Sequence, residues 1–363
     1  MKIVICGLSI TSSWGNGHAT TYRSLVRALA RRGHQLTFFE RDVPWYADNR
    51  DLPQPPYCRT HLYRSIVELR EAAAEIASAD LAMVGSYVPE GREVADVVLR
   101  SAAGVTAFYD IDTPVTVAAL EGDAAEYIER RHVPAFDLYL SFTGGPILER
   151  LETRFGAQRA RPLYCSVDPD LYSPREQAPV WDLGYLGTYS ADRQPAVSRL
   201  LLEPAAAWPQ GRFVIAGPQY PETMICPPNA ERIEHLAPDG HRDFYTRQRF
   251  TLNVTRRDMI AAGYSPSVRL FEAAACGTAI ISDRWTGLDT FFEPGRDILL
   301  ADRAADVLSW LREMPEAERA AIGRSGRERV LAAHTANHRA MELEAFVGEV
   351  RRSALAAGAA RTA

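Results

Sequence analysis

Glu272 is the residue of this chain whose setting most demands a chemical explanation. It is followed by Ala273, Ala274, Ala275 and Cys276, a wholly small and apolar run suited to packing against a sheet. A carboxylate there needs partners, because a buried unpaired charge is costly. Two adjacent hydroxyls, as on a ribose, would supply them. The plainer alternative is a pair with Arg269, three residues earlier on the same helical face, worth only a few tenths of a kcal/mol. The buried setting favours the diol. Ser265 and Pro266 suit the cap and first position of a helix, Gly277 its stop, and 278–282 a strand. Ser267 in the same turn joins the ligand-side candidates.

Two other stretches in this half carry polar and cationic groups at strand ends. Segment 183–193 reads LGYLGTYSADR. Its Gly187, Thr188 and Arg193, small residues and a cation entering a helix, suit a diphosphate. A tight turn with a surface arginine explains Arg193 equally simply. At 253–257, Asn253, Arg256 and Arg257 again leave a strand end, with either arginine able to reach phosphate.

In the first half, loop 7–17 ends Gly15-Asn16-Gly17 and leads into His18. A dinucleotide fingerprint needs G-x-G-x-x-G directly in the strand–helix turn. Here Thr20 replaces the third glycine and the loop is too long, which disfavours a nicotinamide or flavin site. A flexible glycine-rich loop opening a helix remains, whose free N–H groups favour an anion. His18 then faces a cleft, with Asn16 and Gly17 beside it; a capping or exposed histidine is the alternative. Segment 108–114, FYDIDTP, places Asp110 and Asp112 two residues apart at a strand end. They could accept hydrogen bonds from sugar hydroxyls or act as a base. An Asx-turn before Pro114 explains Asp112 more simply than Asp110.

These residues sit in an alternating α/β pattern. Strands are expected over 2–6, 35–40, 80–85, 105–109, 137–142 and 160–164, then 183–186, 212–216, 233–236, 250–254, 278–282 and 298–301. Helices are expected over 18–32, 65–77, 90–102, 115–130 and 146–155, then 196–208, 266–276, 304–313, 316–333 and 336–350. Segment 161–179 holds four prolines in 19 residues and reads as a hinge. The expected division is an N-terminal Rossmann-like domain over 1–168 and a second over 169–335. A last helix and a fraying tail fill 336–363. Two such domains would bring their strand ends to a shared cleft.

Composition narrows the classes. The chain has 363 residues, 47% hydrophobic and 24% charged, which suits a globular protein and excludes a disordered or collagen-like one. A net charge of −5 gives no polyelectrolyte reason to expect nucleic acid as partner. Five scattered cysteines without C-x-x-C spacing read as reduced thiols of a cytoplasmic protein, with no zinc motif. No apolar run approaches a membrane span.

At the Glu272 helix the sequence resembles the retaining GT-B glycosyltransferases grouped as family four or "group 1". Phe271-Glu272-Ala273-Ala274-Ala275-Cys276-Gly277-Thr278 carries the likeness. Segments 12–29, 108–116, 164–174, 183–195 and 265–278 are similar to the CgeB-like, spore-maturation branch. The resemblance implies two Rossmann-like domains facing a central cleft, a nucleotide-diphosphate sugar bound in the C-terminal domain, and an acceptor mainly in the N-terminal one. Glu272 would hold the ribose hydroxyls, Gly187, Thr188 and Arg193 would lie near the diphosphate, and His18 would approach the acceptor or the transferred sugar. Two positions depart from the family pattern: Tyr264 stands where an acid is usual, and Thr188 where an arginine is. The expected activity is metal-independent sugar transfer without a cofactor. The alternatives are a catalytically inactive nucleotide-sugar- or carbohydrate-binding protein, or a nucleotide-sugar epimerase.

Overall fold

The computed structural model describes residues 1–15 and 17–362, with side chains through Ala356. The chain divides into two compact units, Met1–Cys165 with Ala336–Ala363, and Ser166–Thr335.

The first unit is built on seven parallel strands: β1 (Lys2–Gly7), β2 (Gln35–Arg41), β3 (Arg59–Tyr63), β4 (Leu81–Gly85), β5 (Val105–Asp110), β6 (Leu138–Ser141) and β7 (Ala160–Pro162). They run in the order β3-β2-β1-β4-β5-β6-β7. Central strands β4 and β5 are buried along their whole length, as expected of a sheet covered on both faces. The order reverses between β1 and β4, where Ile3 pairs with Leu81.

The second unit repeats the plan with β8 (Trp181–Leu186), β9 (Phe213–Ala216), β10 (Ala230–Ile233), β11 (Gln248–Asn253), β12 (Ala279–Ser282) and β13 (Leu299–Leu300). Their order is β10-β9-β8-β11-β12-β13. Leu183, Tyr185, Phe213, Ile215, Phe250, Leu252 and Ile281 supply one face of its core. Here the reversal falls between β8 and β11, so the residues just beyond Leu186 and Asn253 occupy the crevice where open α/β sheets take ligands. The α/β, doubly wound class expected from the sequence is the one observed.

Several details differ from expectation. The 65–77 helix breaks at Ala72 into Ile66–Glu71 and Ala73–Ala77. The 115–130 helix ends at Glu121. The strand expected at 233–236 lies at Ala230–Ile233. The final helix, expected over 336–350, runs to Thr362. The helix expected at 266–276 spans Val268–Ala275 with Ser267, not Ser265, as its N-cap. Its stop is as expected: Gly277, at φ +75°, lets its own N–H reach Ala274 O at 2.8 Å and that of Thr278 reach Ala273 O at 3.1 Å, the paired bonds of a left-handed helix end.

Candidate functional site

At the β8/β11 switch of the second unit, Arg269 organises the backbone. Its Nε donates to Leu186 O at 2.5 Å and its Nη1 to Asn253 Oδ1 at 2.9 Å. The guanidinium lies over the Tyr185 ring, 4.8 Å from its centroid. Gly187 is required by this packing, because a Cβ there would fall 2.7 Å from Tyr185 Oη and 2.8 Å from Arg269 Nη2. Asn253 is fully buried and links the parts. Its Oδ1 also accepts from Ser267 Oγ at 2.8 Å, and its Nδ2 donates to Ser282 Oγ at 2.9 Å.

Arg193 comes to the same place from the end of the same loop, donating from Nη2 to Thr188 O at 2.7 Å. Its Nε is buried with no hydrogen-bond partner. Burial holds this guanidinium below its ordinary value; Arg269 and Arg256 push it the same way, against Tyr185 and Asp192. Gly187, Thr188, Arg193, Asn253, Arg256, Ser267 and Arg269 are therefore gathered around one strand crossing. Like charges held close in a half-dry setting favour a bound anion.

Glu272 is 3% exposed and does not pair with Arg269. Its Oε2 accepts from Tyr245 Oη at 3.1 Å and stands 3.8 Å from His241 Nδ1. The protein thus supplies one of the donors that the sequence argument assigned to a ligand. Tyr172, His241 and Tyr245 were not foreseen. His241 and Tyr245 lie on the Pro238–Thr246 helix, whose proline at its start and Asp239 in its first turn were the available signals.

In the first unit, His18 opens the His18–Arg31 helix after Gly17. Its ring meets Tyr87 edge-on at 5.4 Å, and its Nδ1 is buried without a hydrogen-bond partner. Burial lowers its proton affinity against the pull of Asp112, so the imidazole is neutral near pH 7. Asn16 lies outside the described residues. A Cβ on Gly17 would meet nothing, so space does not dictate glycine there. The loop expected to be flexible is pinned in its first half. Buried Glu40 accepts from Ile10 N at 2.6 Å and Thr11 N at 3.0 Å, and Asp51 accepts from Ser13 N at 2.8 Å.

Asp110 is fully enclosed. It accepts from Tyr139 Oη at 2.6 Å, Thr116 Oγ1 at 2.7 Å and Asp112 N at 3.3 Å. Burial pushes its carboxyl up to about 7, against the pull of those hydrogen bonds. The expected direct contact with a reacting group finds no exposed surface at Asp110. Asp112 holds the N-cap position of the Thr113–Glu121 helix and is partly exposed, without a side-chain capping bond. Among the described residues no group of three or more His, Cys, Asp or Glu is placed to hold a metal ion, and no helix is long and apolar enough to cross a membrane.

Residues 193–345 match a family model described as glycosyl transferase-like. No curated protein matches the chain. Its fold is similar to that of sucrose-phosphate synthase from Thermosynechococcus elongatus, with a TM-score of 0.66 at 16% identity over 98% of this chain and 100% of that one. HepE from Anabaena, solved with UDP and glucose, gives 0.67 at 11% identity over 96% and 100%. An α-glucosyltransferase solved with UDP-glucose and DNA containing an abasic site gives 0.72 at 12% identity over 96% and 99%. The protein has the two-domain, group 1-like GT-B glycosyltransferase fold, with a glycosyl transferase-like region over residues 193–345.

Proposed function

We propose that the protein is a glycosyltransferase that moves a sugar from a nucleoside-diphosphate sugar to an acceptor, with retention and without a metal ion. The observation that carries this reading is the convergence of Arg193, Arg256 and Arg269 on the Gly187 turn at the sheet's switch point. Breaking an anomeric C–O bond leaves negative charge growing on the departing diphosphate, and fixed cations beside it lower the barrier. Arg193 and Arg269 are positioned for that work before any ligand arrives. Glu272 holds the ribose hydroxyls with the lone pairs that Tyr245 leaves unused. His18, held neutral by burial, serves the acceptor side together with Asp112, with Asp110 a positioning residue behind them.

HepE and the α-glucosyltransferase were both solved with UDP-glucose, which makes a uridine diphosphate sugar the first donor to try. The finer placement in the CgeB-like branch rests on the likeness of segments 12–29, 108–116, 164–174, 183–195 and 265–278. One observation favours a second reading, a catalytically inactive binder of nucleotide sugars. Tyr264, at φ +48°, occupies the position where the family resemblance calls for an acid.

The test is nucleotide release from UDP-, GDP- and dTDP-sugars with and without candidate acceptors. Release that depends on an acceptor supports transfer. Tight binding with no release supports the inactive binder, and interconversion without acceptor supports an epimerase. Glu272→Ala is expected to weaken donor binding by about 1.5–3 kcal/mol, the range for hydrogen bonds to a charged group; unchanged affinity in the folded variant would remove Glu272 from the site.

A further inference from the structure

We propose that His241 is a positioning residue whose protonation decides whether Glu272 is available to a ligand diol. The inference rests on the reading of Glu272 as the carboxylate that takes the donor ribose. His241 and Tyr245 are four residues apart on the Pro238–Thr246 helix, so they share a face. His241 Nε2 lies 3.3 Å from the Leu236 carbonyl. A carbonyl only accepts, so Nε2 carries the proton of the neutral ring. Nδ1 then keeps its lone pair and accepts from the Tyr172 hydroxyl at 3.3 Å.

In that state two acceptors, Nδ1 and Glu272 Oε2, stand 3.8 Å apart with no hydrogen bond between them. Tyr245 Oη occupies one lone pair of Oε2, and the carboxylate can still accept from a hydroxyl brought by a ligand. A proton taken from solvent onto Nδ1 converts the ring into a cationic donor aimed at Oε2. The Tyr172 bond is lost, and Glu272 is drawn into a charge-assisted bond that competes with the diol. Both side chains are nearly dry, at 17% and 4% exposed, so solvent screens the pair weakly.

The groups packed around His241 and Glu272 each keep one charge state near neutrality. Tyr172 comes from the connector, Tyr245 from the same helix, and Cys276 from the end of the Val268–Ala275 helix. Burial pushes all three well up, so they stay neutral between roughly pH 5 and 8. Arg242 turns to the Ser173 and Pro174 carbonyls, and Arg175 to Asp243.

The experiment is calorimetric titration of the protein with UDP-glucose, GDP-mannose and dTDP-glucose between about pH 8 and 5.5. Nucleotide sugars are used because their diphosphate is doubly esterified and keeps its charge across this window. The expected result is a Kd that rises by about tenfold per pH unit below one midpoint. His241→Gln should abolish this rise. Tyr172→Phe, which removes a donor to neutral Nδ1, should move the midpoint to higher pH, a shift that a purely structural role would not produce. Profiles of the same slope and midpoint in all three proteins overturn the role of His241 and leave the donor reading standing. Absence of binding by all three nucleotide sugars, or affinity unchanged in Glu272→Gln, removes the donor reading and this inference with it.

Discussion

The strand ends of the two units are built from opposite materials. In the first, the charge-bearing groups are carboxyls and an imidazole, and burial drives both Asp110 and His18 toward neutrality. In the second, guanidiniums, which cannot discharge near neutral pH, gather at the β8/β11 switch, and Arg193 is pressed by Arg269 and Arg256. A site that neutralises itself suits uncharged hydroxyls. A site where guanidiniums crowd one another suits an anion. One fold, used twice, thus offers two kinds of recognition.

The comparison breaks most readily at Asp110. Its carboxyl rises from the usual 3.8 to about 7 because it is buried. Between those values the folded chain keeps a proton that the unfolded chain has released. Stability therefore falls as pH rises from about 4 to about 7, by at most roughly 4 kcal/mol for a shift of about three units. Asp110→Asn mimics the protonated acid and is expected to flatten that dependence, measured by urea unfolding across the interval. A variant as pH-sensitive as the parent would mean that the first unit does not neutralise itself at this residue.

On the second unit, the next largest effect is expected from Arg269→Ala. It removes the cation that touches Leu186 O and Asn253, and by analogy with loss of one charge-stabilising donor it should cost about 3 kcal/mol in turnover, roughly a hundredfold. Arg269→Lys should recover little, because an ammonium cannot span both acceptors or stack on Tyr185. Full rescue by lysine would reduce the site to simple net charge. Gly187→Ala probes the same geometry more gently. The added methyl would push on Tyr185 Oη and Arg269 Nη2, an overpacking of about 1–3 kcal/mol, expected to weaken donor binding more than it lowers the melting temperature.

Much of this scaffold was legible before the structure. Hydrophobic runs such as 2–6 and 105–109 could only be buried strands, and Gly277 could only end a helix. Edge strand β3 was missed because Arg59, Thr60, His61 and Leu62 leave it half wet and its pattern weak. The Pro238–Thr246 helix was missed because it is short, buries only Phe244 and Tyr245, and carries Gly240 inside it. The site was legible by residue type but not by partner. Glu272 needed company, as burial demanded, yet Tyr245 and His241 come from another helix, 27 and 31 positions earlier in sequence, and no spacing rule connects them. Which arginine turns inward depends on where Leu186 O and Asn253 stand, a matter of sheet register. The helix starts at Ser267 rather than Ser265, and Tyr264 just before it takes a left-handed conformation, a rare choice for a bulky residue that no sequence rule foretold.

The smallest effect on donor affinity is expected at His18. Its neutral ring packs on Tyr87, and its buried Nδ1 lacks a partner, an unsatisfied group that a ligand hydroxyl can repair. That group belongs to the unit suited to uncharged hydroxyls, so His18→Ala should leave the Kd for a nucleotide sugar nearly unchanged while lowering turnover by roughly 100-fold, the lower range for a positioned acid–base group. The check is equilibrium donor titration beside steady-state transfer with the same preparation. Loss of donor affinity with turnover preserved would move His18 to the anion side and erase the contrast between the two units.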